Sequence, residues 1–253
     1  MHWEPKNLQF RKGINKKIQE RTVGLIGAES VDNFATKRIA VIGLGGVGGT
    51  ALEALARSGF MKFVIVDGDR VDLSNLNRQV LYTQDDVDLR KVDCAASLLG
   101  GLTDGIDAYF SPNFITPDNV EEILGKYRVD FIVDAIDDIP GKIALIKYAN
   151  KNNIPIVVTV GMGNRLDPTK IEILPLDKTT DDPLARSLRQ KCRKEGIDCS
   201  KIMTVHSMEH PVVKTEVPMS MIMVPSAAGL FICYYVVKHF MVKSKEEEGE
   251  ENE

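Results

Sequence analysis

Two cationic side chains follow an apolar segment of the chain at a spacing suited to holding phosphates. Arg78 lies near the end of the polar run 69–79, and Lys91 follows thirteen residues later. The planar guanidinium of arginine can pair with two phosphate oxygens, whereas the lysine ammonium acts as a compact point charge. Such a pair can stabilise the charge that develops when a triphosphate is cleaved. The structural alternatives are a surface salt bridge for Arg78 and an exposed helix position for Lys91.

A glycine-rich turn and an acid precede the two cations. The turn contains Gly43, Gly45, Gly46 and Gly48, between an apolar run and a segment with helical periodicity. Glycines let backbone amides approach phosphates, and the following helix N-terminus adds donors. Asp67 ends the next apolar run, where an acid can hydrogen-bond ribose hydroxyls. Both features would also fit an NAD site. The structural alternatives are a tight turn without a ligand for the glycines and a plain surface acid for Asp67. The downstream cations favour a triphosphate over NAD.

A cluster of acids follows a later apolar run, in the segment Asp134-Ala-Ile-Asp137-Asp138. Carboxylates at the carboxyl end of a central strand lie where open α/β sheets bind ligands. A hard oxygen ligand suits Mg²⁺, which bridges phosphates, and Asp137 is the candidate ligand. The alternative, an acid that caps a helix ahead of Pro140, applies better to Asp138.

Short strands that alternate with helices must position these residues. Apolar runs predict strands at 38–43, 62–67, 106–110, 130–134 and 154–159, and helical patterns cover 47–58, 88–99, 117–124 and 140–150. This alternation is typical of parallel strands joined by right-handed crossovers. The pattern weakens after about residue 165, where strands at 170–175 and 202–207 flank a charged helix or loop at 182–199, and an apolar helix covers 225–241. The predicted fold is α/β, a Rossmann-like mostly parallel sheet with helices on both faces and a C-terminal antiparallel extension.

The length and composition of the chain exclude several classes of protein. With 253 residues, 43% of them hydrophobic, the chain can bury a sizeable core. No run of eighteen or more apolar residues occurs, and residues 1–17 are polar and basic, so neither a membrane span nor a secretory signal is expected. The four cysteines lack CxxC spacing, so no zinc is expected and a reduced, cytoplasmic enzyme is the simplest interpretation. Acidic residues concentrate in 242–253, a predicted disordered tail, and the rest of the chain is nearly neutral.

The motifs together resemble the E1-like superfamily, which includes MoeB, ThiF and the ubiquitin-activating enzymes. The resemblance rests on GxGGxG at 43–48, DxDxVxxSNLNRQ at 67–79 and the lysine downstream. It implies an ATP-dependent enzyme that activates a carboxylate as its acyl-adenylate. It also implies roles in ATP binding: phosphate contacts for Arg78 and Lys91, phosphate positioning for Asn75, and ribose binding for Asp67, with Asp69 in the same nucleotide-binding set.

The same resemblance extends to a metal ligand and to a second subunit. It places Asp137 near Mg²⁺, and it implies that Arg21 enters the ATP site of a partner subunit. The chain would then be a homodimer with Arg21 donated in trans as an arginine finger. The alternative for Arg21 is a solvated basic arm.

The body of the chain looks more like the tRNA threonylcarbamoyladenosine dehydratase branch of this superfamily. Paired CxxC motifs are absent, and the supporting segments are 113–120, 134–137, 167–171, 178–184 and 205–209. The branch adenylates the threonyl carboxylate of t6A37 in tRNA and cyclises it to ct6A, which releases AMP and pyrophosphate. A monovalent cation is a further cofactor that the resemblance allows. The implied division is a basic arm at 1–17, one adenylating domain at 18–241, and the acidic tail; the domain comprises a nucleotide-binding half at 18–165 and a substrate-side half at 166–241, with a mobile segment at 179–200.

Two other functions remain open. An activator of a ubiquitin-like or sulfur-carrier protein would use the same ATP motifs on a C-terminal carboxylate, and a sulfur carrier or cysteine desulfurase would then be a partner. A thiolate relay could use Cys199 or Cys192, whereas a plain exposed cysteine is the simpler interpretation of Cys199. An NAD-binding sensor is the third hypothesis, which Arg78 and Lys91 oppose. The basic segment 186–194 can contact tRNA or form a solvated face.

Overall fold

The computed structural model describes residues 8–9 and 17–242, so most of the basic arm and residues 243–253 of the acidic tail lie outside the described residues. The elements in chain order are β1 (Leu8–Gln9), α1 (Glu20–Ile26), α2 (Ala28–Thr36), β2 (Arg38–Ile42), α3 (Gly46–Arg57), β3 (Lys62–Val66), α4 (Lys91–Leu102), β4 (Asp107–Ser111), α5 (Val120–Leu124), β5 (Phe131–Asp134), α6 (Ile139–Asn152), β6 (Ile156–Thr159), β7 (Ile171–Pro175), α7 (Pro183–Lys194), β8 (Met203–Ser207) and α8 (Met223–Phe240). Short 3₁₀ turns lie between several of them.

Eight strands form one sheet in the order β1-β4-β3-β2-β5-β6-β8-β7. The six strands from β4 to β8 in this order pair in parallel, and the outermost strand at each end, β1 or β7, pairs antiparallel. The central strands are apolar and buried along nearly their whole length, as parallel strands covered on both faces must be. The predicted fold class is confirmed, antiparallel extension included.

The order of the strands creates a crevice at the carboxyl edge of the sheet. From β2 the chain continues to β3 and β4 on one side, and then crosses to β5 and β6 on the other side. β2 and β5 are therefore neighbours whose following segments diverge. Open α/β sheets bind ligands outside such a switch point.

Helices cover both faces, and α8 lies in the core. By length and composition alone α8 could cross a membrane. This is weak evidence, because a helix in the core of a globular protein passes the same test. Its residues Val224, Ala228, Ile232 and Val236 have no exposed surface. A Cβ on Gly229 would lie 2.6 Å from the Val47 carbonyl oxygen, so this glycine permits a close crossing with α3. The fold uses the apolar face of α8 for packing.

Three features differ from the predictions. Helices α1 and α2 precede β2, where no elements were expected. Strand β8 also pairs in parallel with β6 and thereby extends the main sheet. Within the segment 179–200, expected to be mobile, α7 buries three side chains: Ala185, Leu188 and Cys192. These apolar positions anchor α7 on α6, while its other side carries the charges.

Candidate nucleotide site at the carboxyl edge of the sheet

The glycine turn after β2 is built so tightly that two of its glycines admit no other residue. Gly43 has φ +92°, and a Cβ there would lie 2.7 Å from the Ala135 carbonyl oxygen. A Cβ on Gly48 would overlap the Gly43 carbonyl oxygen. Gly45 differs, because a Cβ there would meet no atom within 4 Å. The space in front of Gly45, at the start of α3, is therefore open to a ligand that approaches the helix N-terminus.

Asp67 braces this turn from the end of β3. Its Oδ2 accepts a hydrogen bond from the Leu44 amide (2.6 Å), and its Oδ1 accepts one from the Asp69 amide (2.7 Å). Burial raises the pKa of Asp67, although Lys91 and the two amides oppose the shift. The Tyr82 hydroxyl donates to the Leu44 carbonyl from the other side (2.8 Å). Asp67 is thus a buried residue rather than a surface acid, and its ribose contact stays a prediction.

Lys91 is buried at the first position of α4, which rules out the alternative of an exposed helix position. Its Nζ lies 2.8 Å from Asp69 Oδ2, and only 6% of the side chain is exposed. The pairing follows from a short antiparallel bridge between Arg70 and Arg90, after which the Lys91 amide donates to the Asp69 carbonyl. This bridge brings the run at 69–79 and the start of α4 together. The lysine lies beside Asp67, close enough to lower the pKa of that carboxyl.

Arg78 is half-buried and folds onto its own turn. Its Nη1 donates to the Ser74 carbonyl (2.6 Å) and to Asn77 Oδ1 (2.9 Å). Asn75 accepts from the Asp72 amide and so closes the 3₁₀ turn that precedes Arg78. The Arg78 carbonyl would lie 3.0 Å from a Cβ on Gly46. The backbone of Arg78 therefore packs directly on the glycine turn.

The end of β5 forms the other wall of the crevice. Asp134 and Lys142 are fully buried, with Nζ 2.9 Å from Oδ1, and Lys142 also donates to the Thr159 carbonyl (2.7 Å). Burial raises the pKa of Asp134, and Lys142 opposes the shift. Asp138 caps α6 by accepting from the Gly141 amide, as its structural alternative predicted. Asp137 is exposed at this edge.

A magnesium ion is compatible with this arrangement. Among residues 17–242, no group of three or more His, Cys, Asp or Glu side chains could hold a metal. Mg²⁺ is commonly held by one or two carboxylates together with substrate phosphates and water. The exposed carboxylate of Asp137, beside the glycine turn, fits that donor set.

Polar groups also gather past β6 and β8, at the same edge of the sheet but nearer to the antiparallel strand β7. Asp182 accepts from the Gly161 amide (2.7 Å) and the Ala185 amide (3.0 Å). His206 lies 3.6 Å from Asp182, and both side chains are almost fully buried. Burial raises the pKa of Asp182, but His206 and the two amides together lower it by more. The pKa of Asp182 is therefore below its ordinary value. The structure thus places His206 in a packed polar cluster.

All four cysteines are buried, which corrects the expectation that Cys199 is exposed. Cys192 lies on the inner face of α7, and burial raises the pKa of its thiol to about 12. Cys199 is 8% exposed and packs in the same cluster. A thiol becomes a nucleophile as its thiolate, which the burial of Cys192 disfavours. Burial also limits the access of a substrate to either thiol.

Arg21 lies near the C-terminal end of α3, whereas the glycine turn of its own chain lies at the N-terminal end of that helix. It is exposed on α1, and Gln19 just before it donates to the Arg57 carbonyl at the C-terminal end of α3. The glycine turn lies at the N-terminal end of that helix, roughly 18 Å away for twelve residues. The structure therefore brings together the glycine turn, Asp67, the Lys91 pair and the end of β5, but not Arg21.

Several residues of the site were not predicted from the sequence. Asn77 lies within the motif at 67–79, and Tyr82 lies three residues beyond it. Only the structure shows that Tyr82 holds the Leu44 carbonyl and that Asn77 holds the Ser220 carbonyl. Lys142 had a usable signal, because a lysine within the apolar pattern of α6 must find a buried partner. Asn164 has φ +61°, a conformation that asparagine tolerates but that no local pattern announced.

Comparison with known proteins accounts for nearly the whole described chain. The ThiF family model matches residues 19–248. A tRNA threonylcarbamoyladenosine dehydratase of Bacillus subtilis is 35% identical over 230 residues, 84% of this chain and 90% of that protein. The Escherichia coli enzyme of that name is 35% identical over 201 residues, 75% of this chain and 74% of that protein. The crystal structure of the E. coli enzyme in complex with ATP matches with a TM-score of 0.84 at 33% identity, over 89% of this chain and 94% of that chain. The chain therefore belongs to the ThiF family.

Proposed function

We propose that the chain is an ATP-dependent dehydratase that adenylates the threonyl carboxylate of t6A37 in tRNA and cyclises it to ct6A. The observation that carries the proposal is the extent of the likeness to the dehydratases, which covers 84% of this chain for the B. subtilis enzyme and 89% for the E. coli structure. That is more than the nucleotide-binding half at 18–165 can account for, so the likeness reaches the substrate-side half at 166–241. The acceptor of a carboxylate-adenylating enzyme is selected on this substrate side.

The carboxyl edge of the sheet supplies what the first step requires. ATP lies with its phosphates over the glycine turn and the N-terminus of α3, where amide donors and the open space at Gly45 accept them. The threonyl carboxylate attacks the α-phosphorus, and pyrophosphate leaves. Lys91 and Arg78 stabilise the charge that develops on the phosphates. Asp137 would hold Mg²⁺, which neutralises phosphate charge when bound.

The second step needs no nucleophile from the protein. A group within the same modified side chain attacks the activated carbonyl, the C–O bond to AMP breaks, and the net reaction removes one water. Ring closure within one molecule benefits from proximity, which can replace a protein thiolate. The burial of Cys192 and Cys199 agrees with this route and disfavours transfer to an enzyme cysteine.

The acceptor test compares two substrates in one assay. Purified protein, ATP and Mg²⁺ are incubated with tRNA carrying t6A37 or with a sulfur-carrier protein, and AMP, pyrophosphate and the nucleoside mass are measured. We expect AMP release and loss of one water only with the modified tRNA. AMP formation that depends on the carrier instead would identify an activator of carrier proteins, with a sulfur carrier or cysteine desulfurase as its partner.

A matched pair of lysine variants tests the assignment of the site. Lys91→Ala removes the buried cation beside Asp69, whereas Lys126→Ala removes an exposed lysine paired with Glu122 at i,i+4. We expect only the first variant to lose AMP release. Equal activity of the two variants would contradict the placement of the triphosphate.

For tRNA binding we propose the exposed side of α7. Arg186, Lys191, Arg193 and Lys194 lie on its surface, and Asp182 fixes its N-terminus close to the crevice. Contacts between basic side chains and RNA phosphates release counterions, so the affinity for tRNA should fall steeply as the salt concentration rises. The slope of log K against log salt concentration should become shallower by about 0.7–0.9 for each phosphate contact removed. Arg193→Gln should lower this slope and leave ATP binding unchanged. We also place the protein in the cytoplasm, with its tRNA substrate.

We propose a homodimer in which Arg21 serves the partner's ATP site. Helix α1 buries none of its residues, and Leu25 on it is 84% exposed, which leaves an apolar surface to be covered. The distance along α3 prevents Arg21 from reaching its own site, so any role in catalysis requires a second copy. Sedimentation of wild type and a Leu25→Glu variant tests the interface, and we expect the variant to be monomeric.

A further inference from the structure

A long loop links the substrate side of the molecule to the motif at 67–79, which carries Arg78. Residues 208–222 run from β8 to α8 and are termed the bridging loop. Most of its apolar side chains are exposed, including Val212, Val217 and Met219. Apolar burial therefore contributes little to its position, so hydrogen bonds from the rest of the molecule must hold it.

Asn164 provides four of these hydrogen bonds. Its amide donates to the Met219 carbonyl (2.6 Å), and its carbonyl accepts from the Val212 amide (2.8 Å). Its Oδ1 accepts from the Met219 amide (2.7 Å) and from Thr215 Oγ1 (3.0 Å). A φ of +61° allows backbone and side chain to face the same loop. Asparagine is one of the few non-glycine residues that adopt this conformation routinely, so it can serve the loop with both backbone and side chain.

One further attachment of the loop, besides those of Met208, Glu209 and His210 at its start, leads directly to Arg78. Asn77 Nδ2 donates to the Ser220 carbonyl (2.9 Å), one residue beyond the Met219 that Asn164 holds. Asn77 Oδ1 in turn accepts from Arg78 Nη1 (2.9 Å). Asn164 is thereby connected through residues 219–220 and Asn77 to the guanidinium of Arg78.

We propose that Asn164 is a positioning residue for adenylation, which holds the bridging loop so that Asn77 orients Arg78 toward the triphosphate. This inference rests on the proposed function and adds to it a residue that touches neither substrate. Asn164 acts on the transition state through Arg78. The glycine turn and Asp67, which do not contact the loop through Asn164, keep ATP bound when the loop is released.

Three variants separate the side chain of Asn164 from its backbone. Asn164→Gly keeps the positive φ without strain but removes both side-chain bonds. Asn164→Asp keeps an acceptor at the same place. Asn153→Gly is the matched control, because Asn153 also has a positive φ (53°), at the C-terminal cap of α6, far from the loop.

Kinetics with modified tRNA provide the first test. We expect Asn164→Gly to lower kcat for AMP release about tenfold or more, since small displacements of a positioning group cost this much, with the KM for ATP changed by less than about threefold. Asn164→Asp should restore most of kcat, and Asn153→Gly should match wild type at a similar Tm. An unchanged kcat in Asn164→Gly, or an equal loss in Asn153→Gly, would overturn the inference.

Limited proteolysis provides a test that does not depend on activity. Trypsin cleavage after Lys214, an exposed residue of the bridging loop, should be faster in Asn164→Gly than in wild type or Asn153→Gly. Equal cleavage rates would refute the anchoring role by themselves. A wild-type protein that fails to modify tRNA would instead refute the proposed function, while the cleavage rates would still decide whether Asn164 holds the loop.

Discussion

Replacing Lys142 by methionine should destabilise the protein strongly. Lys142 and Asp134 have no exposed surface, and the lysine makes hydrogen bonds of 2.9 Å to Asp134 and 2.7 Å to the Thr159 carbonyl. Methionine preserves most of the volume but leaves the carboxylate buried without its cation. Breaking a buried pair in this way costs about 3–5 kcal/mol. For a chain of this size that loss corresponds to a Tm lower by roughly 6–20 °C.

A double variant distinguishes the cost of the unpaired, buried carboxylate from the cost of lost packing. Asp134→Asn combined with Lys142→Met removes both charges and keeps an acceptor for the Ile136 amide. Because the remaining groups are neutral, the double variant should recover at least half of the stability lost by Lys142→Met. Lys147→Met, on the exposed side of the same helix, is the control and should cost less than about 1 kcal/mol. Urea unfolding of the four proteins measures these differences.

The pH dependence of the loss tests its electrostatic origin. Burial raises the pKa of Asp134, and Lys142 opposes this shift, so Lys142→Met should raise the pKa further. A carboxyl whose pKa is raised by folding stabilises the fold fully below its unfolded pKa, and this contribution is lost as pH rises through the folded pKa. The deficit of Lys142→Met should therefore be small near the ordinary pKa of an aspartate and grow toward neutral pH. A deficit independent of pH, or below about 1 kcal/mol at neutral pH, would refute this reasoning.

Three further predictions concern the site. Arg78→Ala should lower the rate of adenylate formation at least about a hundredfold with an unchanged Tm, measured by pyrophosphate exchange, and wild-type exchange would contradict the phosphate contact. Gly45→Ala meets no atom of the chain, so we expect an unchanged Tm but weaker ATP binding by calorimetry, whereas Gly43→Ala should prevent stable folding. Mixing inactive Arg21→Ala and Lys91→Ala proteins should restore about a quarter of wild-type activity, because each mixed dimer of a C₂ pair holds one intact site, and no recovery would exclude donation in trans.

Much of the sheet could be predicted because its strands are buried on both faces. β2, β3 and β5 are almost continuously apolar, which is the pattern that parallel strands between helix layers produce. Helix α1 escaped prediction for the opposite reason, since none of its residues is buried and burial therefore imposes no periodic apolar pattern on its sequence. In α7 the spacing of Ala185, Leu188 and Cys192 was a usable signal, but the surrounding charges obscured it.

The site was predictable as a set of residue types but not as a set of contacts. The glycines, Asp67 and the two cations could be recognised because their chemistry demands particular residues at particular spacings. The burial of Lys91 depends on the bridge between Arg70 and Arg90, which no periodic pattern encodes. The same holds for Asn77 and Asn164, whose partners lie in a loop far along the chain. Long-range contacts of this kind appear only when the fold is known.

Both cations of the site have hydrogen-bond partners within the chain. Lys91 lies on Asp69, and Arg78 is held by the Ser74 carbonyl and Asn77. A ligand that displaces these partners must offer more negative charge than one carboxylate and two neutral oxygens. A dinucleotide diphosphate offers little surplus, whereas the triphosphate of ATP does, and its charge increases at the leaving oxygens as pyrophosphate departs. The pairing within the chain thus favours ATP over NAD.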